Sequence, residues 1–144
     1  MVITRRIDLQ SNPNENEDNV AVTNITPEIQ QLVETTKITS GTVTVFVPAT
    51  TAGITTIEFE PGLVEDFRNA WARLIPNNIF YKHEYRWNEN NGFSHVRAAM
   101  LGPSLVVPVS GKRLTLGQFQ QIVFVDFDNR PRSRQIILQI MGES

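Results

Sequence analysis

The two histidines of the sequence, His83 and His95, fall in one stretch that starts polar and ends apolar, YKHEYRWNENNGFSHVRAAMLG. Imidazole titrates near neutrality and, when neutral, ligates metals. Two imidazoles with the nearby Arg97 guanidinium could therefore form a site for an anion or a metal. Within FSHVRAAML, Phe93, His95, Arg97 and Ala99 alternate with Ser94, Val96, Ala98 and Met100. That alternation predicts a strand carrying His95 and Arg97 on one face. For His83 to meet His95 the intervening residues must fold back, and Asn90-Asn91-Gly92 is the turn signal that would let them. The plainer alternative, that each histidine only satisfies a hydrogen bond, stays open.

Composition narrows the chemistry. There is no cysteine, so disulfides and thiolate chemistry are excluded, and any metal must be held by nitrogen and oxygen. With 40% hydrophobic and 19% charged residues among 144, the chain reads as one ordinary globular domain over residues 1–144. A net charge of -2 gives no general attraction to nucleic acid or acidic lipid, so neither is expected as a partner. MVITRRIDLQ lacks the apolar core of a signal peptide, and no apolar run reaches the roughly 20 residues of a spanning helix. A cytoplasmic location is expected. Asn24-Ile25-Thr26 matches a glycosylation sequon, but it is read as helix-entry chemistry.

The elements that must position the histidines follow from local patterns. Ile3, Ile7 and Leu9 share one side of an extended segment, and SNPNENEDN after it reads as an exposed loop. Thr26 as N-cap, Pro27 and the early acid Glu28 open a short helix with Ile29, Leu32 and Val33 on its apolar stripe, running to about Lys37. Gly41 ends that region. TVTVFV and ITTIEFE are predicted as neighbouring strands joined by a short connection, with Pro48 closing the first and Glu58 near the end of the second. Pro61 opens a second helix with Leu63, Phe67, Trp71 and Leu74 as a core stripe, and Pro76 stops it. SLVVPV, LTLGQFQQIVFVDFD and RSRQIILQIMG read as strands. Two principal helices among six or more strands, without βαβ alternation, predict an α+β fold built on a largely antiparallel sheet or sandwich.

Polar residues at strand ends, or breaking an apolar alternation, are Glu58, His83, Asn91, His95, Arg97, Gln120, Asp128, Arg132 and Arg134. Together with the words TTAGIT, YKH, NGFSH, LGPS, VPV, LGQFQ and RPRSR, they make residues 41–143 resemble the YjbQ-like family, which is associated with a secondary thiamine-phosphate synthase activity. The family pattern runs His-Thr-Thr-Ala, an Asn-Glu pair, a helix, Tyr-x-His, Asn-x-x-Ala-His, Leu-Gly-x-Trp-Gln and Pro-Arg-x-Arg. Thr50, Thr51, Ala52, Glu58, Tyr81, His83, Asn91, His95, Leu116, Gly117, Gln120, Pro131, Arg132 and Arg134 match it. Ala49 stands where the pattern has its first histidine, Ile57 where it has asparagine and Phe119 where it has tryptophan.

The resemblance implies a homotrimer that joins a pyrimidine pyrophosphate to a thiazole phosphate and expels pyrophosphate. It points to His83, His95 and Glu58 as catalytic residues and to Asn91, Arg97, Gln120, Arg132 and Arg134 as contacts for a phosphorylated small molecule. Guanidinium suits that role because it presents fixed paired donors. With Ala49 in place of an imidazole, His83, His95 and Glu58 are also the candidate ligands of a divalent metal, zinc or magnesium; a His-His-Glu set can hold zinc with a position open for water. Three alternatives stand beside this. Arg132 and Arg134 could be a solvated charge pair on an edge strand. The protein could be a noncatalytic trimer that binds a metal or a phosphometabolite. It could also be a metal-dependent hydrolase.

Overall fold

The computed structural model describes residues 1–144. Runs of branched residues alternating with polar ones build eight strands: β1 (Val2–Ser11), β2 (Ala21–Asn24), β3 (Ser40–Phe46), β4 (Ala52–Glu58), β5 (Ser104–Ser110), β6 (Arg113–Leu114), β7 (Gln120–Asp126) and β8 (Arg132–Glu143). They form two antiparallel sheets, ordered β1-β8-β3-β5-β6 and β2-β7-β4. Three helices complete the chain: α1 (Thr26–Glu34), α2 (Pro61–Leu74) and α3 (Gly92–Leu101). The predicted α+β sandwich is what forms, with one helix more than expected.

The principal core lies between the sheets. Val43, Val45, Ile136, Leu138 and Ile140 of the larger sheet pack with Ile54, Ile122 and Phe124 of the smaller, and Ile29 and Val33 of α1 join them. The outer face of the smaller sheet is covered by α2 and α3, where Val123, Val125 and Phe127 meet Trp71, Ile75, Phe93 and Ala98. Strand β7 is thus buried on both faces, which explains its nearly continuous apolar run. Removing each such side chain from water contributes about 1.5–3 kcal/mol.

Five local expectations are corrected. The segment FSHVRAAML is helix α3, not a strand. Short-range alternation is ambiguous, and Arg97, Ala98, Ala99, Met100 and Leu101 are all good helix formers. Strands β3 and β4 are not paired: β3 lies between β5 and β8 while β4 pairs with β7, so residues 47–51 cross from one sheet to the other. Gly41 sits inside β3 opposite Gly142 of β8 rather than ending a helix. The Thr26 hydroxyl does not cap α1; it accepts from the Ile122 N–H at 2.7 Å, while Asn24 Oδ1 accepts from the Thr26 N–H at 3.0 Å. In α2 the inward face is Val64, Phe67, Trp71 and the following Ile75, whereas Leu74 is 69% exposed. Strand β2, inside the stretch between the expected loop and α1, had no distinct signal in four residues.

Candidate functional site

The two inner strand faces end in charge. On β8, Arg132 and Arg134 continue the row of Ile136, Leu138 and Ile140. On β7 and just beyond it, Asp126 and Asp128 continue the row of Ile122 and Phe124, since alternate residues share a face. Both carboxylates are fully buried. Arg134 grips Asp126 with two bonds, Nε to Oδ2 at 2.8 Å and Nη2 to Oδ1 at 2.9 Å. Arg132 Nε donates to Asp128 Oδ2 at 2.7 Å, and this is its only side-chain hydrogen bond within the chain. The Thr51 hydroxyl links the pairs, accepting from Arg134 Nη2 at 2.7 Å and donating to Asp128 Oδ2 at 3.0 Å. Asn91 Nδ2 and the Asn129 N–H reach Asp128 Oδ1 at 3.2 and 2.8 Å.

Burial works against the Asp128 carboxylate, but the Asn129 N–H, the Asn91 amide and the Arg132 guanidinium outweigh it and hold its pKa below the ordinary carboxylate value. An ionised pair this deep is costly to desolvate, and breaking it strands a charge. The network therefore fixes the two guanidiniums in place.

Above this network opens a pocket of about 400 Å³. Its walls come from the crossover after β3 (Ala49, Thr50, Thr51), from His83, Trp87, Glu89 and Asn91, from His95 on α3, and from Arg130, Arg132 and Arg134. His83 lies in a short 3-10 helix, Lys82–Tyr85, and its imidazole is 4.4 Å, centroid to centroid, from that of His95. The approach is made by Gly92. A Cβ there would stand 2.6 Å from Tyr81 Cβ and 3.1 Å from His83 Cβ, so any side chain would push the short helix off α3. Asn88 and Asn90 take positive φ of 50° and 57° and turn the loop so that Trp87 and Glu89 border the pocket. Burial lowers the pKa of His95, assisted by the charge of His83 and of Arg132 and opposed by Asp128 and Glu89. The neutral form of His95 is accordingly favoured. His83 Nδ1 and Asn91 Oδ1 are buried without a partner in the chain.

The structure brings His83, His95, Asn91, Arg132 and Arg134 to this one pocket, with Ala49 on its wall. Three of the residues singled out from the sequence lie elsewhere. Arg97 does not share a face with His95: two residues apart on a helix they point about 200° apart. It is fully buried on the other side of α3, donating to the carbonyls of Ile75, Asp18 and Asn19 at 3.0, 2.7 and 3.2 Å. Its guanidinium stacks 4.9 Å from the Phe93 ring, and burial pushes its pKa down to about 10. Glu58 ends β4 at the far side from the pocket, since Ala52, next to Thr51 of the pocket wall, begins that strand and six steps of extended chain span roughly 20 Å. Gln120 pairs opposite Glu58 and donates to Thr56 Oγ1 at 3.1 Å, beside a separate groove lined by Ile54, Leu101, Leu105 and Val107.

The His83, His95 and Glu58 metal set is therefore not assembled, and no three His, Asp or Glu side chains anywhere in the chain are grouped to hold an ion. Asp128, the other acid behind the pocket, is taken up by Arg132 and Asn91. The donor set does not fit a divalent metal, and the hydrolase reading, which depended on that set, loses its support.

Asp126, Thr51, Trp87, Glu89 and Arg130 had not been singled out as site residues. Asp126 was marked by standing on the apolar face of β7, and Trp87 by being a large aromatic in a polar run. Arg130 opens the RPRSR word, and Glu89 carried no signal of its own.

The chain as a whole is similar to several known proteins. A family model described as "UPF0047 protein YjbQ-like" matches residues 11–143. A UPF0047 protein of Archaeoglobus fulgidus is 36% identical over 122 residues, covering 85% of this chain and 92% of that one. The crystal structure of a protein from Aeropyrum pernix K1 superposes with a TM-score of 0.87 at 30% identity, covering 98% of this chain and 99% of that one. One from Sulfolobus solfataricus P2, described as a protein of unknown function, superposes with a TM-score of 0.86 at 28% identity, covering 99% and 100%. No helix is long and apolar enough to cross a membrane.

Proposed function

The chain belongs to the UPF0047 family of YjbQ-like proteins, and from that premise we propose that the pocket at His83 and His95 binds a phosphorylated small molecule and performs transfer chemistry of the thiamine-phosphate synthase type. The observation that carries the reading is the wall itself. Arg130, Arg132 and Arg134, two of them held by the buried aspartates, line a pocket with Glu89, two imidazoles and two threonines. The buried acids hold Arg132 and Arg134 before any ligand arrives, so the donors need little reorganisation.

In that reaction the carbon–oxygen bond of a pyrimidine-methyl pyrophosphate breaks and pyrophosphate leaves with the electron pair. The thiazole nitrogen supplies the pair for the new carbon–nitrogen bond. The guanidiniums would take the charge that grows on the leaving oxygens, and Trp87, 55% exposed, offers a face for a flat ring. Neutral His95 would accept a hydrogen bond and orient the second substrate. His83 Nδ1 and Asn91 Oδ1 are buried and unpaired within the chain, the kind of unsatisfied polar group that calls for an explanation.

A noncatalytic phosphometabolite binder is the second reading, favoured by Ala49 standing where the resembled pattern has an imidazole. Calorimetry with pyrophosphate, followed by an assay of pyrophosphate release from the paired substrates, separates the two. Binding with turnover supports the transferase, and binding without turnover supports the binder. Absence of binding removes both. The resemblance also proposes a homotrimer of this chain, which light scattering would contradict by returning a monomer at micromolar concentration.

A further inference from the structure

A second cavity, of about 360 Å³, lies against the polar pocket, lined by Ala49, Thr50, Ala52, His95, Ala98, Ala99 and Pro103. Ala49, Thr50 and His95 belong to both walls. The residues particular to the second cavity are Ala52, Ala98, Ala99 and Pro103, all small and none charged. Its geometry comes from one helix face, because His95, Ala98 and Ala99 stand at i, i+3 and i+4 on α3, and from the crossover that faces them. The imidazole of His95 thus stands where a charged half and an apolar half of one continuous surface meet.

We propose that the second cavity is an apolar subsite for the organic portion of the same ligand, so that the preferred ligands are phosphate esters of small, mostly apolar groups. The ester oxygen would sit beside His95, with the phosphate toward Arg132 and Arg134 and the carbon skeleton toward Ala98 and Ala99. The proposal rests on the polar pocket being an anion site and adds what that pocket discriminates. Two observations argue for this occupant. The cavity shares Ala49, Thr50 and His95 with the guanidinium pocket, so a ligand anchored there needs only to extend past these residues to reach it. Among side chains its lining offers only the Thr50 hydroxyl and the His95 ring to hydrogen-bond, so a second anionic group finds no charged partner there. Ala49 matters at the junction because its methyl leaves open space that the imidazole of the resembled pattern would fill.

Calorimetry with inorganic phosphate and with methyl, ethyl, propyl and butyl phosphate tests this on the full chain. Burial of each added methylene strengthens binding by up to about fourfold, so butyl phosphate should bind about tenfold or more tighter than methyl phosphate. Ala99→Leu and Ala49→Leu should each flatten that dependence, read as the ratio of butyl to methyl phosphate affinity in one protein. Ala99 is exposed, so the first change does not enter the core. Equal affinities along the alkyl series in the wild type would overturn the subsite while leaving the anion pocket standing. An alkyl dependence that survives both substitutions would place the apolar contact elsewhere and overturn the assignment. If neither phosphate nor its esters bind, the anion reading fails and the subsite fails with it.

Discussion

The His83 and His95 imidazoles lie with ring centroids 4.4 Å apart and planes inclined by 35°. Two imidazoles that close disfavour double protonation, and His95 is also partly withdrawn from water. Its folded pKa therefore lies below the ordinary value of 6.5. The sign follows: the stability tied to neutral His95 is complete above 6.5 and declines as pH falls from there through the folded pKa. In an NMR titration the His95 ring should show a midpoint below 6.5, and His83→Ala should move it upward. A midpoint at or above 6.5 in the wild type would mean the ring is solvated and the pair is not formed.

Arg130 and Arg134 should separate binding from folding. Arg134→Ala leaves Asp126 buried without its partner and should destabilise the fold by about 3–5 kcal/mol. Arg130 is exposed, so Arg130→Ala should alter stability by no more than about 0.5 kcal/mol while weakening pyrophosphate binding several-fold. Urea melts and calorimetry on both variants give the comparison. Equal stabilities would show that the Asp126 pair is solvated, contrary to its burial.

Asp128 should govern part of the acid response. Its folded pKa is held below the unfolded value near 3.8, so its contribution is complete above that value and is lost as pH falls through the folded pKa. In urea melts between about pH 5 and pH 2, Asp128→Asn should show a shallower fall in stability than the wild type. An unchanged slope would assign acid sensitivity to other carboxylates.

Ala49→His should introduce a third imidazole beside His83 and His95, and ligand number and geometry set metal affinity. Zinc titration should show tighter binding in Ala49→His than in the wild type, lost again when His95→Ala is added. Glu58→Gln, far along β4, should leave that gain intact. No gain in Ala49→His would show that residue 49 does not point at the imidazoles.

Restoring a side chain at Gly92 probes how the pair is held. Gly92→Ala should displace the Lys82–Tyr85 turn, because the added methyl meets Tyr81 Cβ at 2.6 Å, and the His95 NMR midpoint should rise toward 6.5 as His83 withdraws. An unshifted midpoint would show that the backbone accommodates the methyl without moving His83.

Period-two alternation, as in TVTVFV and RSRQIILQI, was sufficient for the longer strands and for an α+β sandwich, because it reports which face must leave water. Proline punctuation marked both ends of α2, and Pro27 lay in the first turn of α1. The RPRSR word, the NNG turn signal and the two histidines pointed to the polar pocket without its partners. Tertiary structure decided the rest, for reasons that residue pattern does not encode. FSHVRAAML alternates like a strand yet becomes α3 because Phe93 and Ala98 have β7 to cover, and that change of period sends Arg97 into the interior and leaves His95 at the pocket. Glu58 and Gln120 are opposite each other across β4 and β7 but at the end remote from His95, a consequence of strand direction that spacing does not encode. Asp126 and Asp128 stand only eight and four residues before Arg134 and Arg132, but they support them because residues 127–131 carry the chain from the smaller sheet to the larger. Pairing across a sandwich is fixed by which surfaces are buried against each other, and that is a property of the whole chain.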